Sequence, residues 1–201
     1  MKRYFSAFIA AAVVSTAAFA QSAPDAVVKN AVEGTVNAMK ADPQARGGDM
    51  AKITQVVQTH FLPATDFQRT TRIAVGKAWS QATPDQQKQL YDQFTLLLTH
   101  TYAVSLSQLR DQAVTFKFGA TSAGGNANDA VVQSHVLSRN NDDSVDYRLT
   151  RGPSGWKIYD INMSGAWLIQ VYQTQFAEQI NKGGIDALIK YLTNHNQLTA
   201  D

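Results

Sequence analysis

The residues best able to do chemistry in this 201-residue sequence are one carboxylate and a few histidines. Asp160 stands in an otherwise apolar segment, and simple alternation places it on the same face as Trp156 and Ile158. An inward carboxylate in a cone-shaped cavity is how an isomerase or lyase would hold a general base. The alternative is a strand-end carboxylate that pairs with an arginine or caps the following helix. Because no partner for catalysis is evident, the pattern favours this structural interpretation.

The four histidines lie in four different segments, and none stands at metal-ligand spacing from another His, Asp or Glu: His60, His100, His135 and His195. The sequence also lacks a nucleophile elbow, a Walker loop and a dinucleotide-binding glycine pattern. We therefore expect no catalytic residues, no metal site and no cofactor. The sequence predicts a protein that is not an enzyme, and an isomerase or lyase using Asp160 remains the alternative.

The most compact cationic group is formed by Arg69 and Arg72, which share a helical face, together with Lys77. Such a group could meet a phosphate or an acidic partner surface, or it could be a solvated helix face. No run of Lys and Arg suited to a nucleic-acid backbone is present. We therefore expect no nucleic-acid binding and treat these three residues as candidates for contact with a protein partner.

The first 20 residues have the composition of a secretory signal peptide. Lys2 and Arg3 form a positive start, residues 7–19 are apolar or small, and Ala-Phe-Ala at 18–20 is a small-x-small cleavage pattern. Cleavage would lower the 18 basic residues to 16, which equals the 16 acidic residues. Because the chain has no cysteine for lipid attachment, we expect a soluble, exported product that depends on its core for stability.

The chain changes from helical to strand periodicity near residue 112. Helices are predicted over 25–39, 49–61 and 66–79, and a Thr-Pro start at residue 83 begins a long helix that ends near residue 109. Period-two alternation then predicts four strands near 114–118, 130–138, 145–150 and 156–161, joined by tight turns. Two final helices are expected over 164–181 and 184–193.

The predicted fold class is α+β, with a curved antiparallel sheet of four to five strands wrapped by helices around an apolar cavity. We expect one domain over residues 21–201, with a helical part at about 24–110, the sheet at about 112–163 and C-terminal helices at about 164–193. The C-terminal helices are expected on the concave face of the sheet. The apolar surface after residue 145 exceeds what a hairpin can cover, so it must close a core or line a cavity.

Several segments, taken in order, resemble the MlaC family of periplasmic phospholipid-binding proteins. They are D-F…R-I-A-V-G…W at 66–79, T-P…F…L…T-Y at 83–102, V-D-Y-R-L at 145–149, G-W-K-I-Y-D at 155–160, and Phe176 followed by G-I-D-A-L-I at 184–189. The family pattern has Leu where this chain has Val75. The resemblance spans about residues 60–192, which is most of the exported part.

The resemblance implies a soluble, monomeric carrier in the periplasm that binds the acyl chains of a phospholipid as cargo. Its implied partners are an outer-membrane lipoprotein complex and the MCE-type substrate-binding component of an inner-membrane ABC transporter, in a system that maintains outer-membrane asymmetry. An apolar, anchor-free exported chain without catalytic motifs is compatible with this function. Besides the enzyme, a lipid-free adaptor that bridges envelope proteins remains an alternative.

The residues expected to line the lipid cavity are large apolar side chains of the long helix, the sheet and the segment after it: Leu98, Tyr102, Val132, Val136, Tyr147, Leu149, Trp156, Ile158, Met163, Trp167 and Val171. Ordinary core packing is the alternative role for each of them. No arginine cluster suited to bidentate phosphate recognition is present. We therefore expect the head group at the cavity mouth and weak discrimination among head groups.

Overall fold

The computed structural model describes residues 22–139 and 141–198, so the predicted signal peptide lies outside the described residues. The first half is helical: α1 (Pro24–Ala41), α2 (Pro43–Arg46), α3 (Met50–Val56), α4 (Phe67–Val75) and α5 (Pro84–Ser107). Between these lie a π-helical turn, Val57–Phe61, and two 3-10 segments, Leu62–Ala64 and Gly76–Gln81. Within the described part of the chain, no helix is both long and apolar enough to cross a membrane.

Side-chain caps fix where these helices begin. The carboxylates of Asp42, Asp49 and Asp66 accept hydrogen bonds from backbone N–H groups in the first turns of α2, α3 and α4. At the start of α5 the Thr83 hydroxyl accepts from the Gln86 N–H at 3.2 Å, while the Gln86 side chain accepts from the Thr83 N–H at 3.0 Å. This reciprocal capping box confirms the helix start predicted at the Thr-Pro pair.

The second half forms one antiparallel meander in the order β1-β2-β3-β4-β5. The strands are β1 (Thr115–Ala123), β2 (Asp129–Leu137), β3 (Asp142–Gly152), β4 (Gly155–Met163) and β5 (Ala166–Trp167), followed by helix α6 (Leu168–Leu198). The sheet is curved and does not close on itself, which confirms the predicted α+β class. The strands β1, β3 and β4 are longer than the alternation indicated, whereas β2 has the predicted length.

The final helix begins at Leu168 and not at Ser164, where the sequence predicted it. Ser164 and Gly165 have φ values of 51° and 91°, and the Ser164 N–H donates to the Ser144 carbonyl at 3.1 Å. Two consecutive left-handed residues make a tight hairpin turn, so the chain returns as β5 before it becomes helical. The predicted division of the last helices is confirmed, because Gly183 and Gly184 interrupt α6 with non-helical backbone angles.

The buried apolar residues form two clusters. The sheet cluster joins β2, β3 and β4 to α1, α3, the π-helical turn and the end of α5. The helical cluster joins α4, the middle of α5 and α6. Leu62 and Tyr102 pack against both clusters.

The expectation that the C-terminal helices cover the concave face of the sheet is wrong. The N-terminal helices share a core with the sheet, while α6 buries Phe176, Leu188 and Leu192 in the helical cluster. The physical reason is the anchoring of the α6 N-terminus. Its Ile169 N–H donates to the Asp160 carboxylate, which lies on the face of β4 that points away from the sheet cluster.

Candidate functional site

A cavity of about 320 Å³ lies inside the sheet cluster, between the sheet and the helices that cover it. This volume is at the lower end of the range of small-molecule sites, about 300–1,000 Å³. Its apolar wall consists of Val32, Val36, Val57, Phe61, Tyr102, Leu106, Leu109, Phe116, Val136, Val145, Tyr147, Ile161 and Met163. The wall therefore combines α1, the π-helical turn, the end of α5 and four strands.

Helical and strand periodicity together aim these side chains at one space. Val32 and Val36 stand four residues apart on the buried face of α1. Across the β3–β4 pair, Tyr147 lies opposite Ile161 and Val145 lies opposite Met163. Residues opposite each other in an antiparallel pair project to the same face. The register of this hairpin therefore sets much of the sheet side of the cavity.

Apart from Asp143, the described residues that line the cavity have no charged side chains. Burial raises the pKa of Tyr102 and of Tyr147 far above the usual tyrosine range, and for Tyr147 a hydrogen bond with Ser134 opposes the rise. The Thr35 hydroxyl donates to the Ala31 carbonyl at 2.5 Å, so that donor is already used within α1. Neutral phenols and apolar walls are suited to a ligand with extended hydrocarbon.

Tyr102 forms the boundary between the cavity and the helical cluster. Its ring lies edge-on to Phe61 with centroids 5.3 Å apart, and it stacks near Phe67 at 6.4 Å. Phe61 belongs to the π-helical turn, an irregular helical form that is common at functional sites. This aromatic group closes the inner end of the cavity against the second cluster.

The predicted cavity residues divide into three groups in the structure. Tyr102, Val136, Tyr147 and Met163 line the cavity. Val132, Leu149 and Ile158 are buried core of the sheet cluster, and Leu98 is buried in the helical cluster. Trp156 and Trp167 are half-buried and Val171 is exposed. Contact of any of these side chains with a lipid stays a prediction.

The sequence reasoning missed the part of the cavity wall that α1 and the π-helical turn supply. Val32 and Val36 of α1 and Val57 and Phe61 of the π-helical turn all line it. Their apolar spacing was the available signal, since it marked a buried face in each segment. Periodicity does not say whether a buried face meets other side chains or an open space.

Asp160 is held as a structural carboxylate. One carboxylate oxygen accepts from the N–H groups of Ile161 and Ile169, each at 3.0 Å, and the other accepts from Arg148 at 3.2 Å. The Arg148 guanidinium also lies 3.7 Å above the centre of the Trp167 ring. Pairing with an arginine and capping of the next helix are thus both confirmed.

The face assigned to Asp160 by simple alternation is wrong. The β3–β4 register shifts between Arg148 and Leu149, which pair with Asp160 and Ile158, so Tyr159 is an extra residue on β4. This bulge turns Asp160 to the face opposite Ile158, away from the cavity. Burial raises the pKa of Asp160, while its bonds from Ile169 and Arg148 oppose that rise.

Arg69 is not a free surface cation. Its guanidinium donates to the Asp129 carboxylate at 2.9 Å and to the Thr150 hydroxyl at 2.7 Å, and it lies 4.1 Å above the Tyr159 ring. These contacts attach α4 to the sheet, and a partner role for Arg69 stays a prediction. Arg72 and Lys77 are exposed, and their partner role stays a prediction.

Neither the helices nor the sheet of the described chain presents three or more His, Cys, Asp or Glu side chains grouped to hold a metal ion. The described cavity lining consists of apolar and hydroxyl side chains together with Gln108 and Asp143. What the geometry offers is enclosure of an apolar ligand.

Comparisons with known proteins agree with one another. The family model described as "MlaC protein" matches residues 29–194. The chain is 19% identical over 196 residues to the intermembrane phospholipid transport system binding protein MlaC of Haemophilus influenzae, covering 94% of this chain and 91% of that protein. It is 42% identical to the phospholipid-binding protein from Ralstonia solanacearum, solved in complex with a phospholipid. That match has a TM-score of 0.81 and covers 90% of this chain and 100% of the other.

Proposed function

The chain belongs to the MlaC family, and from this membership we propose that it is a phospholipid-binding transport protein. The observation that carries the proposal is the apolar cavity of about 320 Å³ in the sheet cluster. It occurs in a chain that is 42% identical to a phospholipid-binding protein solved with its lipid. The ligand's acyl part occupies the cavity, and its head group stays at the exposed rim.

Burial of hydrocarbon supplies the binding free energy in this proposal. Each methylene transferred from water to an apolar site contributes about 0.8 kcal/mol, so the binding free energy grows with the length of acyl chain that the cavity encloses. The neutral tyrosines Tyr102 and Tyr147 add no charge that would oppose it. Met163, which lines the cavity and is 40% exposed, marks where the acyl part meets solvent.

The proposal extends to a route between two membranes. The chain is exported to the periplasm by the signal-like residues 1–20, acts there as a monomer, and exchanges phospholipid with an outer-membrane lipoprotein complex and an MCE-type inner-membrane component. This activity maintains the asymmetry of the outer membrane. Family membership and the export-type N-terminus support this route.

The contacts of Asp160 argue against its role as the general base in the enzymatic alternative. Asp160 points away from the cavity, and its oxygens already accept three hydrogen bonds from Arg148, Ile161 and Ile169. A general base needs an available lone pair within reach of the substrate. Loss of a turnover in an Asp160→Asn variant that still folds would nevertheless restore the enzyme hypothesis.

Organic extraction of the protein purified from the periplasm, followed by mass spectrometry, tests the proposed function. The full sequence is expressed so that the intact mass also reports whether residues 1–20 are removed. We expect phospholipid close to one molecule per protein, because acyl chains in an apolar site survive purification. Protein that is empty, and that stays empty after incubation with phospholipid vesicles, would support the adaptor and contradict the proposal.

A further inference from the structure

The described lining of the cavity contains a carboxylate but no cationic side chain. Among the described residues that line the cavity, Asp143 is the charged side chain and none is a lysine or an arginine. Asp143 is exposed and lies opposite Val136 across the β2–β3 pair. Residues opposite each other in an antiparallel pair project to the same face, and Val136 lines the cavity. The Asp143 carboxylate therefore lies on the cavity side of the sheet.

Two hydroxyl donors of the cavity lining already have acceptors. The Ser105 hydroxyl donates to the Thr101 carbonyl at 3.0 Å. The Thr35 hydroxyl donates to the Ala31 carbonyl at 2.5 Å. Among the described lining residues a phosphate finds no cationic side chain, whereas an ammonium finds a carboxylate.

Basic groups of the neighbouring elements lie outside the cavity lining. His135, one residue before Val136, pairs with the Asp142 carboxylate at 2.6 Å. Lys117 on β1 and Arg139 after β2 are exposed, and neither is among the described lining residues. Asp143 is therefore the charged side chain that the described lining offers to a ligand.

We propose that Asp143 selects phospholipids whose head group carries an ammonium with N–H donors over phospholipids whose head group is anionic. This inference rests on the proposed function and names its preferred substrate class. The ammonium donates a charge-assisted hydrogen bond to the carboxylate, whereas a head group with net negative charge is repelled by it. Because Asp143 is exposed, water screens the effect, and the preference is about two- to fivefold, the size typical of exposed ion pairs.

A competition experiment tests this preference. Lipid-free protein is incubated with vesicles that contain equal amounts of dioleoyl phosphatidylethanolamine, phosphatidylcholine and phosphatidylglycerol, and the bound lipids are extracted and counted by mass spectrometry. Identical acyl chains keep the contribution of the cavity constant. We expect ethanolamine over glycerol by about two- to fivefold, with choline between them, because its quaternary ammonium has charge but no N–H.

Variants separate Asp143 from the general charge of the protein. Asp143→Asn should bring the ratio of ethanolamine to glycerol lipid close to one, and Asp143→Lys should reverse it. The matched control is Asp92→Asn, an exposed carboxylate on α5 that pairs with Lys88 and does not line the cavity. The control should keep the wild-type ratio.

Three results would overturn the inference. They are an even lipid ratio in the wild type, an unchanged ratio in Asp143→Asn, and an equal shift in Asp92→Asn. A failure of the proposed function gives a different result, because no phospholipid of any class would then be recovered from any variant. The total lipid recovered thus reports on the function, and the ratio among head groups reports on Asp143.

Discussion

The two hydrophobic clusters use similar side chains but fill space differently. In the helical cluster, Phe94 lies edge-on to both Tyr172 and Phe176, with ring centroids 4.9 Å apart in each pair. In the sheet cluster, apolar side chains of comparable size surround a cavity of about 320 Å³. Protein interiors normally close such spaces, because unfilled surface loses dispersion contacts. The contrast supports assigning stability to the helical cluster and ligand binding to the sheet cluster.

The geometry of the elements explains the contrast. Helices such as α4, α5 and α6 interlock their side-chain ridges, which leaves little room between them. A straight helix laid across a curved sheet cannot follow its surface, so α1 leaves a space above β3 and β4. Tyr102 stands between the two arrangements and packs against both. Tyr102 therefore separates the filled helical cluster from the cavity of the sheet cluster within one domain.

The largest expected effect comes from the same truncation made once in each cluster. Phe176→Ala removes a fully buried ring from the helical cluster and should lower the free energy of unfolding by about 3–5 kcal/mol. Phe61→Ala removes a ring that already borders the cavity, so it should cost only about 2 kcal/mol. Urea unfolding of both variants measures the difference.

The lipid content of the same two proteins sharpens the comparison. Phe176→Ala should keep the wild-type amount of phospholipid per folded molecule, whereas Phe61→Ala should change it, since Phe61 is part of the wall. Equal unfolding costs and equal lipid contents would contradict the division of roles between the clusters.

The next effect concerns Asp160, which joins the start of α6 to the sheet. Asp160→Ala leaves the buried N–H groups of Ile161 and Ile169 without an acceptor and should cost about 1–3 kcal/mol. Asp160→Asn keeps an acceptor oxygen and should cost less. Denaturant unfolding measures the loss of unfolding free energy in each variant. An equal loss in both would show that the hydrogen bonds to Asp160 do not stabilise the contact between α6 and the sheet.

The pKa of Asp160 gives that comparison a pH dependence. Because burial raises the folded-state pKa above the usual 3.8, the folded protein holds this proton more tightly than the unfolded chain. The stability of the wild type relative to Asp160→Asn should therefore fall as the pH rises from 3.8 through the raised folded-state pKa. A rise in this relative stability as the pH increases toward 3.8 would mean that Arg148 outweighs burial and lowers the pKa.

A charge placed on the cavity wall should change the stability of the fold little but should strongly reduce phospholipid binding. Val136→Asp should lower bound phospholipid by about tenfold, the equivalent of 1.4 kcal/mol, while the melting temperature changes little. Val131→Asp is the matched control, because it lies on the same strand and points to the opposite face. If both variants unfold, or if both lose lipid equally, Val136 is ordinary core and not part of the binding wall.

These outcomes also show how far the sequence alone reaches. The capping box at Thr83 and the change of period near residue 112 were sufficient for the α+β class, because both signals are local. The bulge at Tyr159 was missed, although the apolar positions change phase between Ile158 and Ile161. The turn at Ser164 was missed because its left-handed backbone falls on a non-glycine residue. The extra residue Tyr159 turns the Asp160 side chain to the face opposite the cavity. On that face Asp160 caps helix α6, whereas on the cavity face it would have been a candidate general base.

The cavity was only partly predictable for a related reason. Tyr147 was expected to line it from an apolar strand face and Met163 from the segment after the sheet, and both are lining residues of the cavity, although Met163 lies on β4. Arg69 was assigned to the surface, although it binds Asp129 from 60 residues away. A long-range ion pair of this kind cannot be seen in a charge pattern. Val57 and Phe61 were recognised as apolar helix positions but not as walls of a space.

The smallest expected effect is in the dynamics of the two clusters. Amide hydrogen exchange, measured with and without bound phospholipid, should slow by about threefold or more on loading in the π-helical turn Val57–Phe61. The reason is that Val57 and Phe61 contact the cavity, so an acyl chain replaces missing neighbours there. The segment of α6 around Phe176 should exchange equally in both states, because its core is filled with or without lipid. Equal slowing in both regions would mean that lipid stabilises the whole domain as one unit, and slowing confined to α6 would reverse the roles of the clusters.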